Sequence, residues 1–206
     1  MDTRKKILHK ALQLINQKGF SEVGVREIAR SLQLSPGNMS YHFPRKEDIF
    51  TELMDNYMQA NSENYAGFGE GAPTLKRYLE IVQKALQLQY KYRGLFLAFP
   101  YFFGEIHTGR SKYPATYKKR KNDILQILTS LQHARQLQLK KSDIDFLFSF
   151  LSLFGRFSII EAFMLHRNRK EADILKHYLT MLMNQLLLFA TASGKRSINE
   201  FRKAYF

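Results

Sequence analysis

The side chains best equipped to recognise another molecule lie between Val25 and Lys46. They supply guanidinium, carboxamide, phenol, imidazole and ammonium groups, from Arg26, Asn38, Tyr41, His42 and Lys46. All of these groups form hydrogen bonds, and the first and last carry positive charge at neutral pH. None stands at catalytic spacing from a nucleophile or a paired carboxylate, so they offer recognition rather than bond breaking.

The rest of the sequence adds no catalytic arrangement. The chain of 206 residues has no cysteine, which excludes disulfides, thiolate nucleophiles and thiolate metal sites. It also has no paired carboxylates at catalytic spacing, no nucleophile motif, no phosphate-binding glycine loop and no His/Glu metal cluster. We therefore predict a protein that is not an enzyme and that needs no metal or cofactor.

Residues 24–34 predict a short helix followed by a tight turn. Gly24 stands at the position of the N-cap, and Gln33 and Leu34 form the turn. Apolar residues recur at spacings of three and four, as they do along one face of a helix: Val25, Ile28, Ala29 and Leu32.

A second short helix is predicted over residues 36–42. Ser35 has the character of an N-cap, and Pro36 suits the first helical position, where no backbone N–H is needed. Only Met39 and Phe43 are suited to pack inwards. The remaining side chains are small, polar or amphipathic: Gly37, Asn38, Ser40, Tyr41 and His42. A helix so short and polar is displayed to a partner, and the pattern is that of a helix-turn-helix whose second helix enters a DNA major groove.

Positive charge is densest in the same part of the chain. Residues 1–46 contain nine Lys and Arg against three Asp and Glu, a net charge of +6, while residues 47–206 contain the other 23 and 15, a net charge of +8. This distribution suits the neutralisation of DNA phosphates. The whole-chain charge of +14 serves a second interpretation equally well, a helical protein that binds nucleic acid or an anionic membrane surface without sequence preference.

The periodicity of the chain predicts an all-α fold of about nine helices. Residues 1–46 form a three-helix helix-turn-helix domain, whose first helix spans Thr3–Lys18 and ends at Gly19. Residues 47–206 form a larger helical domain. After the hinge at Phe43 to Lys46 we predict helices near 46–61, 75–93, 114–135, 142–166 and 171–192, a loop at 61–73, and a tail that is either a short helix or frayed.

The last two long helices are apolar on nearly every side. The charged residues within 144–165 are few: Asp145, Arg156 and Glu161. They favour a buried helix over a membrane span. We predict that Ser142 and Asp145 form a capping box at the start of this helix, and that Gly194 ends the next one. Because solvent suits neither helix on any face, a second copy of the chain is the economical cover.

These motifs resemble those of the TetR/AcrR family of transcriptional regulators. The matching elements are Ile7–Phe20, Val25–Ala29, Ser35–Phe43 and Pro44–Glu47. The motifs cover about the first 46 residues, and the remainder is similar in length and in its all-helical layout. Two positions depart from the family pattern. Gly24 replaces the usual Thr or Ser, and Ser40 replaces the usual Tyr, with Tyr41 beside it.

The resemblance implies a cytoplasmic homodimer that represses transcription by binding a pseudo-palindromic double-stranded DNA operator. The third helix of each subunit would enter one of two successive major grooves. The C-terminal helices would hold a pocket for a hydrophobic small-molecule effector, and the last two long helices would form the dimer interface. Effector binding would swing the fourth helix, spread the two third helices and release the DNA. No membrane partner is implied.

The family pattern and the phase of the helices give the expected DNA-binding residues. Arg26 suits a bidentate contact to guanine or, equally, a contact to phosphate, and Asn38 suits adenine or, equally, a bond to the backbone at the helix start. Lys46 is expected to neutralise a phosphate. The full set is Val25, Arg26, Ser35, Pro36, Gly37, Asn38, Ser40, Tyr41, His42 and Lys46.

A ligand pocket is expected among the aromatic residues that follow the first domain. Aromatic residues at helical spacing are also typical of an ordinary core, and that alternative stays open. Arg156 and Glu161 must either pair, face the pocket or face a partner subunit. The pocket candidates are Phe96, Phe99, Phe102, Phe103, Phe150, Phe154, Arg156, Phe157 and Glu161.

Overall fold

The computed structural model describes residues 2–98, 113–165 and 169–206, with the backbone alone for 113–116. These residues form a 3-10 helix, Gly67–Glu70, and ten α-helices. The α-helices are α1 (Thr3–Lys18), α2 (Val25–Ser31), α3 (Pro36–His42), α4 (Lys46–Ala66), α5 (Leu75–Lys91), α6 (Arg93–Leu97), α7 (Tyr113–His133), α8 (Lys141–Leu165), α9 (Glu171–Leu187) and α10 (Ala192–Tyr205). Apart from an isolated bridge between Leu137 and Ala190, the described residues contain no β-structure, which confirms the all-α prediction.

Contacts within the chain divide it into two compact units. Unit 1 consists of Met1–Ala60 and Lys91–Pro114. Unit 2 consists of Asn61–Tyr90 and Ala115–Phe206. The division of the sequence into domains at residue 46 stays a prediction.

Unit 1 is built on the apolar side of α1. Its buried residues recur at spacings of three and four along one face of the helix: Ile7, Leu8, Ala11, Leu12, Leu14 and Ile15. Gly19 ends the helix with a φ of 92°, a value that side chains rarely allow. Gly94 of α6 lies so close to α1 that a Cβ there would come within 2.8 Å of the Ile15 carbonyl oxygen. Asn16 fastens this contact, because its side chain donates to the Lys91 carbonyl and accepts from the Gly94 N–H, both at 2.8 Å.

Unit 2 has one apolar core to which α5, α7, α8, α9 and α10 all contribute. Its most buried members include Leu79, Leu128, Leu147, Leu182 and Phe201. Gly194 was predicted to end the last long helix, but α9 ends at Leu187 and Gly194 lies in the first turn of α10. A Cβ on Gly194 would lie 2.1 Å from the Gln136 carbonyl oxygen. The glycine therefore permits close packing, and Thr191 caps the new helix by accepting from the Gly194 N–H at 3.1 Å.

The predicted loop at 61–73 is wrong in its first part. Helix α4 continues to Ala66, and the 3-10 helix follows directly. A tertiary contact supports the extension, because the side chain of Asn64 donates to the Ile81 carbonyl of α5 at 2.9 Å. The breakers that the sequence does contain begin only at Gly67.

The predicted capping box of α8 is displaced. The helix begins at Lys141, and the carboxylate of Asp143 accepts from the Lys140 N–H at 2.7 Å. This is the reach-back half of a capping box, made two residues before the predicted Ser142 and Asp145 pair. The acidic residue that fits the geometry is therefore the one three positions after the true cap.

One side of α8 is exposed in the single chain, so its predicted burial on that side depends on the second copy of the chain, which stays a prediction. Its buried residues are Leu147, Leu151, Ser158, Ile159 and Ala162. The apolar stripe of α8 consists of side chains that are between 38% and 76% exposed, namely Phe146, Leu153, Phe157, Met164 and Leu165. Among the described residues, α8 alone has the length and composition to cross a membrane, and 28% of its apolar window is buried.

Candidate nucleic-acid interface

The turn between α2 and α3 has the predicted residues and a defined geometry. Gln33 adopts a left-handed conformation with a φ of 55°. The N–H of Leu34 then donates to the Ala29 carbonyl at 2.9 Å and closes the turn. Gly24 is the N-cap of α2, as predicted. The turn thus fixes where α3 begins.

Helix α2 buries less than its sequence predicts. Ile28 and Ala29 are its buried residues, whereas Val25 and the C-cap Leu32 are only half-buried. The shortfall arises because α2 is seven residues long, so its end positions have packing on one side only. Arg26, the expected base-reading residue of this helix, is exposed.

Helix α3 has the predicted limits and the predicted cap. The hydroxyl of Ser35 accepts from the Asn38 N–H at 3.2 Å, and proline occupies the first helical position. Two side chains anchor the helix, because Met39 and Phe43 are fully buried. The bond that Asn38 makes to the cap uses its backbone, and its side chain is exposed.

The outward side of α3 is displayed to solvent. We name its exposed residues the α3 face: Pro36, Gly37, Asn38, Ser40 and Tyr41. Tyr41 is 84% exposed, and its ring meets that of His42 edge-on with centroids 5.2 Å apart. Nothing lies within 4 Å of the position that a Cβ on Gly37 would occupy. Because a phenol ring gains from leaving water, such an exposed ring indicates a surface that a partner covers.

The hinge between α3 and α4 brings basic side chains to the same part of unit 1. Arg45 pairs with Asp48 at 2.8 Å, and its N–H donates to the same carboxylate at 3.0 Å. Lys46 donates to the carbonyls of Phe20 and Ser21 at 3.2 and 3.4 Å, and its ammonium lies 4.5 Å from the centre of the Phe20 ring. These contacts place Lys46 at the corner between α1 and α2. Its expected contact with phosphate stays a prediction.

Sequence reasoning missed Arg4, which contacts both α3 and α4. Its Nη1 donates to the His42 carbonyl at 2.9 Å, its Nε donates to Glu52 Oε1 at 3.1 Å, and its Nη2 donates to Glu52 Oε2. The guanidinium carbon lies 4.3 Å from the centre of the Phe43 ring. The hydrogen bonds with Glu52 raise the pKa of Arg4. These partners lie 38 to 48 residues away, so no local spacing could have indicated them.

The pocket candidates do not form one described set. Phe99, Phe102 and Phe103 lie outside the described residues. Phe96 belongs to unit 1, where its ring meets that of Tyr57 edge-on with centroids 4.9 Å apart. The other candidates belong to unit 2.

In unit 2 the aromatic candidates of α8 make contacts typical of a core. Phe150 and Phe154 stack with centroids 5.8 Å apart, and Phe154 meets Tyr178 of α9 at 6.1 Å. Both phenylalanines are half-buried against the apolar core of the unit. A role in binding a ligand stays a prediction for them.

The remaining pocket candidates, and two buried hydroxyl groups, differ in their exposure. The guanidinium carbon of Arg156 lies 5.4 Å from the centre of the Tyr117 ring. Two further candidates are exposed, Phe157 and Glu161. The buried hydroxyls of Ser158 and Tyr178 have no hydrogen-bond partner among the described residues, a feature that no local sequence pattern indicates. The same residues contain no group of three His, Asp or Glu that could hold a metal ion.

Comparison with known proteins identifies the helix-turn-helix. Residues 7–53 match the family model described as bacterial regulatory proteins, tetR family. This span runs from within α1 to within α4 and so contains α2, the turn and α3 whole. These residues form a helix-turn-helix domain of the tetR type. The curated relatives that share it are named as transcriptional regulators, which agrees with the prediction that the protein is not an enzyme.

Curated relatives of the chain align over part of their length. The chain is 33% identical over 98 residues to the probable HTH-type transcriptional regulator YttP of Bacillus subtilis (strain 168), a match that covers 46% of the chain and 47% of that relative. It is 37% identical over 54 residues to the HTH-type transcriptional regulator AcrR of Shigella flexneri, covering 26% of the chain and 25% of the relative. The chain thus spans about half or less of the length of these relatives.

Solved structures share the fold over nearly the whole chain. A TetR-family transcriptional regulator from Marinobacter aquaeolei VT8 has a TM-score of 0.85 at 22% identity, covering 100% of this chain and 99% of that one. The ketosteroid transcriptional regulator KstR2 of Mycobacterium tuberculosis has a TM-score of 0.71 at 15% identity, covering 92% and 96%. At these identities the likeness concerns the fold alone.

Proposed function

We propose that this TetR-family protein is a dimeric, sequence-specific transcriptional repressor that a hydrophobic small molecule releases from its operator. The α3 face carries the DNA-binding part of the proposal. It belongs to a seven-residue helix that is fixed by a serine cap and two buried anchors, yet exposes five residues to solvent. Such an element suits insertion into a major groove. A regulator of this kind is expected in the cytoplasm, where bacterial DNA lies.

Each residue of the interface has a role that its chemistry suits. Arg26 and Asn38 have the groups for bidentate contacts to guanine and adenine. Gly37 and Ser40 allow the backbone of α3 to approach base edges closely, and Pro36 suits a thymine methyl group. The remaining residues are assigned to phosphates and sugars, namely Val25, Ser35, Tyr41, His42 and Lys46. Phosphate contacts position the protein, while base contacts specify the sequence.

Selection of bound duplexes from a random pool, at physiological salt, tests this proposal. The expected product is an inverted repeat with half-sites about one helical turn apart, roughly 34 Å, because each subunit of a dimer places one α3 in one major groove. The competing function is charge-driven binding to any polyanion. An unenriched pool together with affinity that collapses steeply with salt would favour that function and reject sequence-specific regulation.

The apolar stripe of α8 supports the homodimer. Two further apolar residues are exposed, Met181 of α9 and Leu188 directly after that helix, and a monomer would leave them in water as well. A membrane fits less well, because Glu161 is exposed on the same helix and would be carried into hydrocarbon. Sedimentation velocity across a concentration series tests the dimer. A mass of one chain at micromolar concentration would contradict it.

Buried hydroxyls beside aromatic rings support an effector that is mainly apolar and carries a polar group. Ser158 and Tyr178 have buried hydroxyls, and the Tyr178 ring contacts Phe154. Effector and operator would oppose each other by linkage, with a coupling of about 1–3 kcal/mol, or roughly 5- to 150-fold in DNA affinity. The test is a panel of hydrophobic compounds scored both for a shift in unfolding temperature and for release of the selected duplex. Compounds that stabilise the protein without weakening DNA binding would argue against coupling.

A further inference from the structure

Arg4 ties together three helices of unit 1 through a single guanidinium. It projects from the first turn of α1, and it donates to the last carbonyl of α3, at His42, with an N···O distance of 2.9 Å. It also forms a two-pronged ion pair with Glu52 of α4. Its flat group lies over the ring of Phe43, the buried anchor that follows α3. The far end of α3 is thus held from α1 and α4 together.

We propose that Arg4 is a positioning residue for the α3 face: it fixes the C-terminal end of α3 and so sets how that face meets DNA, without itself contacting DNA. The inference rests on the proposed function, because it concerns how the same interface is held. The N-terminal end of α3 is already fixed by the Ser35 cap. Arg4 supplies the restraint at the other end, next to Tyr41 and His42.

Helix geometry explains why this end needs a restraint. The last carbonyls of any α-helix have no intrahelical donor, and in a helix of seven residues they make up about half of the carbonyls. A cation at a helix C-terminus is also favoured by the helix dipole. The guanidinium meets both needs at once, because it donates to the carbonyl and carries positive charge.

The orientation of the donors argues against a direct phosphate contact by Arg4. Nε, Nη1 and Nη2 all donate to groups of the protein itself. Glu52 also offsets the charge of the guanidinium, and a paired arginine attracts phosphate less than an unpaired one. Lys5, by contrast, is an exposed cation on the same turn of α1, and it provides a charge-matched control.

The first test compares Arg4→Ala with Lys5→Ala in DNA binding by the full-length protein, using the duplex selected by the wild type. Both changes remove one positive charge from the first turn of α1. We expect Arg4→Ala to weaken affinity roughly five- to tenfold more than Lys5→Ala. The slope of log affinity on log salt should stay the same in Arg4→Ala as in Lys5→Ala. A slope reduced by a further ~0.9 would mean that Arg4 contacts a phosphate, and would overturn the proposal.

The second test uses Glu52→Gln, with Glu47→Gln of the same helix as its charge-matched control. If Arg4 positions α3, then Glu52→Gln should bind DNA several-fold more weakly than Glu47→Gln. The double variant Arg4→Ala with Glu52→Gln should bind no more weakly than Arg4→Ala alone. If Arg4 instead contacted a phosphate, its release from Glu52 in Glu52→Gln would strengthen DNA binding, which is the opposite change in affinity.

A third measurement does not depend on DNA. Amide hydrogen exchange in residues 40–43 should be about tenfold faster in Arg4→Ala than in Lys5→Ala, because the restraint on that end of α3 is lost. Equal exchange rates would reject the positioning role even if the wild type bound no specific duplex. Faster exchange with no specific duplex would uphold the contact with α3 and reject the proposed function instead.

Discussion

The α3 face and the apolar stripe of α8 are both open to solvent in the single chain, but they are opposite in chemistry. The α3 face has five residues on a helix of two turns, and its side chains are small or form hydrogen bonds, apart from the proline ring. The stripe of α8 consists of five large apolar side chains spread along a helix of 25 residues. The partners proposed for the two surfaces, DNA and a second subunit, differ in the same way.

The two surfaces differ in the free energy that they lose while no partner is bound. A polar face costs little in water, so it suits an interaction that forms and breaks during regulation. An apolar stripe costs about 25 cal/mol for each Å² left exposed, so it suits a partner that stays bound. Exposure alone does not distinguish the two surfaces. Their residue types do, because one suits the proposed reversible contact with DNA and the other suits the proposed lasting contact between subunits.

The largest effect is expected from a charge in the stripe. Leu153→Glu should weaken the free energy of dimer association by about 2–5 kcal/mol, since the carboxylate would be buried without a partner. Sedimentation velocity measures the change. Gln126→Glu, at an exposed position of α7, adds the same charge and should leave the dimer intact. If both variants remained dimeric, another surface would have to form the dimer.

A comparably large effect is expected from the buried side of α3. Met39→Ala should lower the free energy of unfolding by about 2–5 kcal/mol, because Met39 is almost completely buried. Urea denaturation followed by circular dichroism measures it. Loss below 1 kcal/mol would show that α3 is not anchored as described.

A smaller effect with a different readout is expected from the exposed side of the same helix. Tyr41→Ala should change the unfolding free energy by less than about 0.5 kcal/mol, since the ring makes few contacts. It should nevertheless weaken binding of the selected duplex by roughly fivefold, or about 1 kcal/mol. Met39 would thus serve folding and Tyr41 would serve DNA recognition, although both lie in the seven residues of α3. Equal losses of unfolding free energy in the two variants would contradict this division.

The substitution at Gly37 is the one expected to stabilise the fold. Gly37→Ala should raise the unfolding free energy by up to about 0.5–1 kcal/mol, because alanine is the better helix former and a Cβ meets nothing within 4 Å. Its DNA affinity should fall, since the added methyl group would stand between the backbone of α3 and the base edges. Unchanged affinity in a fluorescence anisotropy titration would show that this backbone does not approach DNA closely.

Local signals predicted the helix-turn-helix well. Ser35 and Pro36 mark the start of α3 through interactions with residues next to them in the sequence. Gly19 marks the end of α1 in the same way. Such signals act over three or four residues, which is the range that sequence reading covers. The family match to residues 7–53 rests on the same stretch.

Features that depend on distant residues were missed or misread. Gly194 looks like a helix stop in sequence, but the reason for glycine there is the Gln136 carbonyl, 58 positions earlier in the chain. The extension of α4 depends on the bond from Asn64 to Ile81, and the restraint on α3 depends on Arg4. The composition of α8 predicted burial on all sides. Composition cannot show which side the neighbouring helices of the same chain leave open.

The clasp of Asn16 on α6 has a consequence for the modularity of the family. Unit 1 is not one continuous piece of chain, because Lys91 and Gly94 close against the end of α1 although they follow it by some 75 residues. A chimera that exchanged only residues 1–60 would separate Asn16 from both of its partners and place a foreign residue where only glycine fits. A graft of this unit would therefore have to carry the segment around Lys91 and Gly94 as well.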